Sequence, residues 1–218
     1  MKQIVNYFKK LELKEATKFL VIFYSVGVAG FLIPQSRDIF EMLIPLSLLI
    51  SIFMLFLFHS NYNRKHLVFF LSVVVLTIAI EAVGTNTGLV FGEYLYGSSL
   101  SVKVFGTPIL IGFNWLMLSY GAVAIVRSSP KLRRFLPIVV AILMTGYDYV
   151  MEPVAMKTDM WDWAGGTVPF QNYVMWFVIS AIIGAGFELL NISTKSKTAA
   201  RIFVLQLAFF GILNLFLS

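Results

Sequence analysis

The chain has 218 residues, of which 59% are hydrophobic and only 13% are charged, and its mean hydropathy is +0.85. This composition is too apolar for a soluble domain of the same length, so it predicts an integral membrane protein. The chain contains no cysteine, which excludes disulfides, a thiolate nucleophile and cysteine-ligated metal sites. The net charge of +6 comes from lysines and arginines that flank apolar runs, so it does not indicate nucleic-acid binding.

The N-terminal segment predicts a helix on the membrane surface. Within residues 1–18, lysines are interspersed with Ile4, Val5, Phe8 and Leu11, a pattern typical of an amphipathic helix on an anionic membrane face. No cleavage signal follows the first apolar run, so we expect this segment to be retained at the cytoplasmic face and not removed as a signal peptide.

Seven apolar runs follow, most of them close to the roughly 20 residues that a membrane-spanning helix needs. They fall at 19–33, 39–58, 67–84, 108–126, 135–151, 172–190 and 200–217. The predicted fold class is all-α: a polytopic membrane protein with about seven transmembrane helices in one bundle. We expect residues 19–218 to form this bundle as a single domain.

The distribution of basic residues predicts the orientation of the bundle. Of the 17 lysines and arginines, 14 fall in alternate segments between the runs, beginning with the N-terminal segment and counting Arg201 at the start of the last run, and 3 fall in the others. The positive-inside rule therefore predicts a cytoplasmic N-terminus, a C-terminus outside and a multi-pass position in the cell membrane.

Two long connections, 85–107 and 153–171, are predicted on the outer side. Pro153 is expected to end the fifth helix, because proline removes a helical hydrogen bond. Connections of this length in a compact membrane protein are usually functional, so we expect ordered loops that pack over a site.

Three carboxyl groups are the candidate catalytic residues: Glu81, Asp148 and Glu152. Asp148 and Glu152 are four residues apart, so a helix places both on one face, one turn apart. Glu81 is predicted near the outer end of the third helix, at the same end of the bundle. Ionisable groups in membrane helices are costly and usually functional. A dry carboxyl can act as an acid at neutral pH while a wetter neighbour acts as a base.

The outer loops and the start of the sixth run supply the candidate substrate-binding residues. These are Phe91, Glu93, Tyr94, Tyr96, Trp161, Asp162, Trp163, Asn172 and Tyr173. Aromatic faces can stabilise a cationic intermediate through their quadrupoles. The alternative interpretation is an interfacial aromatic belt, with carboxylates that only cap and pair at a helix end.

Other chemistries fit the sequence less well. The nucleotide-binding motifs G-x-x-x-x-G-K-[ST] and G-x-G-x-x-G and the hydrolase motif G-x-S-x-G are missing, and run 200–217 has no lysine for a retinal Schiff base. Carboxylates spaced as D-x-x-x-E and D-x-x-D could hold Mg²⁺ on a diphosphate. Only Lys103 and Lys157 are predicted on that side to bind phosphate. A proton relay in a transporter is a further alternative.

A set of spaced residues between positions 80 and 180 resembles a known family. The set comprises Glu81, Gly84, Thr87-Gly88, Phe91-Gly92, Tyr94, Tyr96, Gly106, Pro108, Asp148-x-x-x-Glu152-Pro153-Val154-Ala155, Trp161-x-Trp163, Gly166, Pro169, Asn172 and Trp176. It resembles the membrane carotenoid hydratases, of the γ-carotene or bisanhydrobacterioruberin type, which add water to the terminal 1,2 (or 1',2') double bond of an acyclic carotenoid end group. That family often has Asp before the proline, where this chain has Glu152.

The resemblance implies an enzyme of carotenoid biosynthesis, a hydro-lyase that forms a tertiary cation by protonation and captures it with water. It implies no redox cofactor, no ATP and no metal ligands. Asp148 or Glu81 would deliver the proton. Glu152 would orient or deprotonate the water, and Asn172 would hold it.

The expected partners are a carotenoid substrate that enters from the bilayer, membrane lipid and other carotenoid-pathway enzymes, with no nucleic acid. The alternatives are a membrane lycopene cyclase, which begins with the same protonation, and a non-enzymatic proton-coupled transporter or carotenoid-binding protein.

Overall fold

The computed structural model describes residues 13–100, 102–194 and 196–217. Its helices are α1 (Leu13–Leu32), α2 (Arg37–Met42), α3 (Ile44–Leu57), α4 (Arg64–Thr87), α5 (Ile109–Ser128), α6 (Pro130–Arg133), α7 (Leu136–Lys157), α8 (Phe170–Leu189) and α9 (Lys197–Phe216). Its strands are β1 (Tyr94–Tyr96), β2 (Lys103–Val104), β3 (Thr107–Pro108) and β4 (Trp161–Trp163). Apart from these short strands, the described chain is all-α, as predicted.

Six helices of the described ranges, α1, α4, α5, α7, α8 and α9, have the length and apolar composition to cross a membrane. The chain is therefore a multi-pass membrane protein. Its orientation stays a prediction. Of the predicted surface helix over 1–18, residues 1–12 lie outside the described residues, and residues 13–18 form the first turns of α1.

The second predicted run, 39–58, is not one spanning helix. It divides at Leu43 into α2 and α3, and Pro45 lies in the first turn of α3, where a missing N–H costs little. The 14 residues of α3 give a length of about 21 Å, short of the roughly 30 Å hydrocarbon core. In place of seven spans, the described chain has six candidate spans and one shorter apolar helix.

The fifth run forms a longer helix than the sequence predicts. α7 continues through Pro153 to Lys157, although proline lacks the N–H of a regular helical residue. α7 forms the most extensive helix pairing in the described chain, with α8. Asp148 and Glu152 lie one turn apart on this continuous helix, and the connection to α8 begins at Thr158.

α5 lies at the centre of the bundle, in contact with α3, α4, α7, α8 and α9. Gly112 allows α4 to approach closely, because a Cβ there would lie 2.6 Å from Ile78 Cγ1 and 2.7 Å from the Val74 carbonyl oxygen. The C-terminal ends of α4 and α7 meet the beginnings of α5 and α8 at one end of this bundle, where Trp115 bonds to Glu81 and Asn172 bonds to Asp148. The three candidate carboxyls therefore lie at the same end.

Candidate active site

Glu81 is buried in the last two turns of α4. Its Oε2 accepts hydrogen bonds from the hydroxyls of Tyr94 at 2.5 Å and Tyr96 at 2.9 Å. Its Oε1 accepts a hydrogen bond from Trp115 Nε1 at 2.9 Å. Among the described residues, no lysine or arginine lines the surrounding cavity. Three donors aimed at one carboxyl form the pattern that stabilises its ionised state.

Asp148 and Glu152 are buried on the same face of α7. Glu152 Oε2 accepts hydrogen bonds from the indoles of Trp161 at 2.9 Å and Trp163 at 2.8 Å. Asn172 Nδ2, in the first turn of α8, lies 2.7 Å from Asp148 Oδ2 and 3.4 Å from Glu152 Oε1. Asp148 Oδ1 accepts no hydrogen bond from the described residues, and the Asp148 and Glu152 carboxyls lie one helical turn apart with Asn172 as a shared partner. Two neighbouring buried carboxyls can hydrogen-bond to each other only when one of them carries a proton.

The donors to Glu81 and Glu152 come from a two-stranded ribbon. β1 pairs antiparallel with β4, which places Tyr94 opposite Trp163 and Tyr96 opposite Trp161. Since side chains alternate along a strand, all four rings lie on one face. The ring centroids of Tyr94 and Trp163 are 4.8 Å apart. We call this element the aromatic ribbon; its β1 tyrosines donate to Glu81, and its β4 tryptophans donate to Glu152.

The loops around the aromatic ribbon hold it against the helix ends. Gly88 ends α4 with φ of +67°, a left-handed conformation that favours glycine. The N–H and Oγ of Ser98 donate to Asp159 Oδ2 at 2.9 and 2.5 Å. These bonds, the side-chain one first, lower the pKa of the Asp159 carboxyl. Burial, reinforced by Glu81, raises the pKa of Tyr94 and Tyr96, so both hydroxyls stay protonated donors.

Two cavities adjoin beside the carboxyl cluster and share part of their lining. The acid cavity has a volume of about 30 Å³, and the three carboxyls, the four ribbon rings, Phe91 and Asn172 all line it. This volume admits one or two waters. The apolar cavity has a volume of about 270 Å³ and lies among α1, α3, α5, α7 and α9. Both cavities are lined by Ile111, Asn114, Met151 and Trp161.

The apolar cavity reaches the membrane-facing surface of the protein. Val26, Leu43 and Leu46 line it, and each of them is at least 40% exposed. In a bilayer these exposed apolar side chains face lipid. A hydrocarbon chain in the membrane could therefore reach the shared wall without crossing water.

Three of the predicted substrate-binding residues do not line the acid cavity. Glu93 and Asp162 are exposed, because strand alternation turns them, with Leu95, away from the ring face. Tyr173 is half-buried on α8 and contacts the ring of Tyr149, with centroids 5.8 Å apart.

Trp115 and Asn114 belong to the site but were not predicted from the sequence. Trp115 is buried in α5, donates to Glu81 and stacks on Trp176 with centroids 4.0 Å apart. Asn114 is the one amide in the apolar run 108–126, and a polar residue inside a membrane run is a signal of function. The described residues contain no group of three His, Asp or Glu side chains placed to hold a metal ion.

The fold and the site together define a multi-pass membrane protein with a buried cluster of three carboxyl groups beside an apolar cavity that reaches exposed apolar side chains. A family model described as "Carotenoid biosynthesis protein" matches residues 42–218. The chain therefore belongs to the carotenoid biosynthesis protein family and has a biosynthetic role there. Comparisons with curated proteins and with solved structures found no match.

Proposed function

We propose that the chain is a hydratase that adds water to the terminal C1–C2 double bond of an acyclic carotenoid end group, without a cofactor. The observation that carries the proposal is the single cavity shared by Glu81, Asp148 and Glu152, next to an apolar cavity open toward lipid. Hydration of an unactivated alkene needs a proton donor, stabilisation of a cation and one water. The two cavities offer a place for each.

The hydrogen-bond pattern supports Asp148 as the proton donor. Glu81 accepts three hydrogen bonds, and Glu152 accepts two indole bonds and a longer one from Asn172. Asp148 accepts only one, from Asn172. Three buried carboxylates without a cation would be prohibitively costly, so a proton is expected on the carboxyl with the fewest donors. That proton bridges from Asp148 to Glu152 in the resting site.

The reaction balances with the groups at hand. Asp148 gives its proton to C2, the alkene π electrons form the new C2–H bond, and C1 becomes a tertiary cation. A water oxygen then bonds to C1 and releases a proton to the Glu152 carboxylate. Transfer of that proton from Glu152 to the neighbouring Asp148 carboxylate restores the starting state. No net proton, electron or nucleotide is consumed.

Glu81 and the aromatic ribbon have a different part in this proposal. The Glu81 carboxylate is a fixed negative charge on one side of the cavity, and charge placed before the reaction needs no reorganisation. The faces of Tyr94, Tyr96 and Trp161 line the same space and can stabilise the cation. The rest of the polyene would occupy the apolar cavity and extend into lipid.

Expression in a bacterium that makes lycopene or γ-carotene tests the proposal. A carotenoid heavier by one water supports the hydratase. An isomer of unchanged mass would identify a lycopene cyclase, which shares the protonation but closes a ring. Unchanged pigment, with the protein present in the membrane, would favour a transporter or a carotenoid-binding protein.

A further inference from the structure

Asn114 lies where the two cavities meet. It is 8% exposed, it lines both the acid cavity and the apolar cavity, and its Oδ1 has no hydrogen-bond partner among the described residues. A buried amide oxygen is normally satisfied by a protein group or by a water. The amide is therefore suited to bind a small polar molecule at the junction.

The other side chains at the junction are unsuited to this task. Ile111 is apolar, the Met151 thioether is a weak acceptor, and the Trp161 N–H is bonded to Glu152. The amide oxygen of Asn114 is therefore the strong hydrogen-bond acceptor at the junction, and it accepts no hydrogen bond from the described residues.

Asn172, the residue that the sequence predicts to hold the water, has another role. Asn172 Nδ2 is directed at the carboxyls of Asp148 and Glu152, which leaves it to orient the acid–base pair. The remaining cavity amide, Gln206, lines only the apolar cavity, although its Oε1 is also buried and unpartnered among the described residues.

We propose that Asn114 binds the water that captures the carotenoid cation, an inference that rests on the proposed hydratase function. The water donates one hydrogen to Asn114 Oδ1 and directs the other toward the Glu152 carboxylate, so that an oxygen lone pair faces C1 at the junction. When the C–O bond forms, the O–H bond directed at Glu152 breaks and its proton passes to that carboxylate. Asn114 thereby decides whether the cation is hydrated or loses a proton again.

The test separates protonation from water capture. Membranes that contain the full-length protein are incubated in D₂O with an unlabelled acyclic carotenoid, and hydrated product and deuterium in recovered alkene are both measured by mass spectrometry. In Asn114→Leu the cation still forms but returns to alkene by proton loss. The ratio of hydrated product to deuterated alkene should fall about tenfold, the effect on a rate of one lost neutral hydrogen bond.

Two further variants make the result specific. Asn214→Leu makes the same amide-to-alkyl change on α9 outside both cavities, and it should leave the ratio within about twofold of wild type. Asn114→Ser keeps a hydroxyl that can hold water, so its ratio should lie between those of wild type and Asn114→Leu.

Three outcomes overturn the assignment of Asn114. The first is an unchanged ratio in Asn114→Leu, and the second is an equal fall in Asn214→Leu. The third is a wild-type protein that neither hydrates nor deuterates the alkene; this result rejects the proposed function itself, whereas the first two leave hydration by the wild type intact.

Discussion

Replacement of Asp148 by asparagine separates the chemistry of the site from its architecture. The new amide can present its oxygen to Asn172 and an N–H toward Glu152, so the hydrogen bond between Asn172 and residue 148 is retained. We therefore expect the free energy of unfolding to change by less than about 1 kcal/mol. An amide N–H is not a usable acid, and loss of a general acid costs about 10²- to 10⁴-fold in rate. A 10³-fold loss corresponds to about 4 kcal/mol of transition-state stabilisation.

The assay measures the initial rate of hydrated product in membranes, normalised to the protein present. Asp38→Asn is the control, because it makes the same change at an exposed carboxyl in α2. It should keep the wild-type rate. If Asp148→Asn retains more than about a tenth of that rate, the loss is too small for a general acid, and Asp148 is not the proton donor.

Three further predictions concern the ribbon, the lipid opening and pH. Trp163→Phe removes one donor to the Glu152 carboxylate and should slow hydration about 10- to 100-fold, the cost of a hydrogen bond to a charged group; an unchanged rate contradicts this role. Leu46→Trp should obstruct the apolar cavity and raise the KM for carotenoid, whereas Phe53→Trp, exposed on α3 outside the cavity, should not. Folding lowers the pKa of Asp159. The contribution of this carboxylate to the stability of the folded loops is therefore complete above its ordinary pKa of about 4, and it is lost as the pH falls through the lowered value. Limited proteolysis of residues 88–100 should therefore accelerate only at acidic pH, and Asp159→Asn should weaken that pH dependence.

The carboxyl cluster was predictable because its determinants are local. A four-residue spacing puts Asp148 and Glu152 on one helical face whatever surrounds them. The length of the apolar runs likewise places Glu81 at the same end of the bundle. These inferences need only helical geometry and the thickness of a membrane.

The partners of the carboxyls were not predictable to the same degree. The paired strands contain three residues each and lie far apart in sequence, so no local signal pairs Tyr94 with Trp163. Glu93 and Asp162 are predicted in the site from their residue types alone. Strand alternation, which this prediction does not consider, directs both side chains away from the rings. Pro153 was expected to end α7, but tertiary packing outweighed the loss of one helical hydrogen bond.

The aromatic ribbon makes the two loops that contain its strands far more sensitive to length than to composition. A slip of one residue along β1 would turn Tyr94 and Tyr96 outward and bring Leu95 to face the carboxyls, and a slip along β4 would exchange Trp161 and Trp163 for Asp162 in the same way. A single inserted or deleted residue beside β1 or β4 would thus remove the donors that this strand provides. Substitution at the outward positions leaves the pairing intact. Among related chains we expect these loops to vary freely at their outward positions. We expect their length to change only where the register of the two strands is preserved.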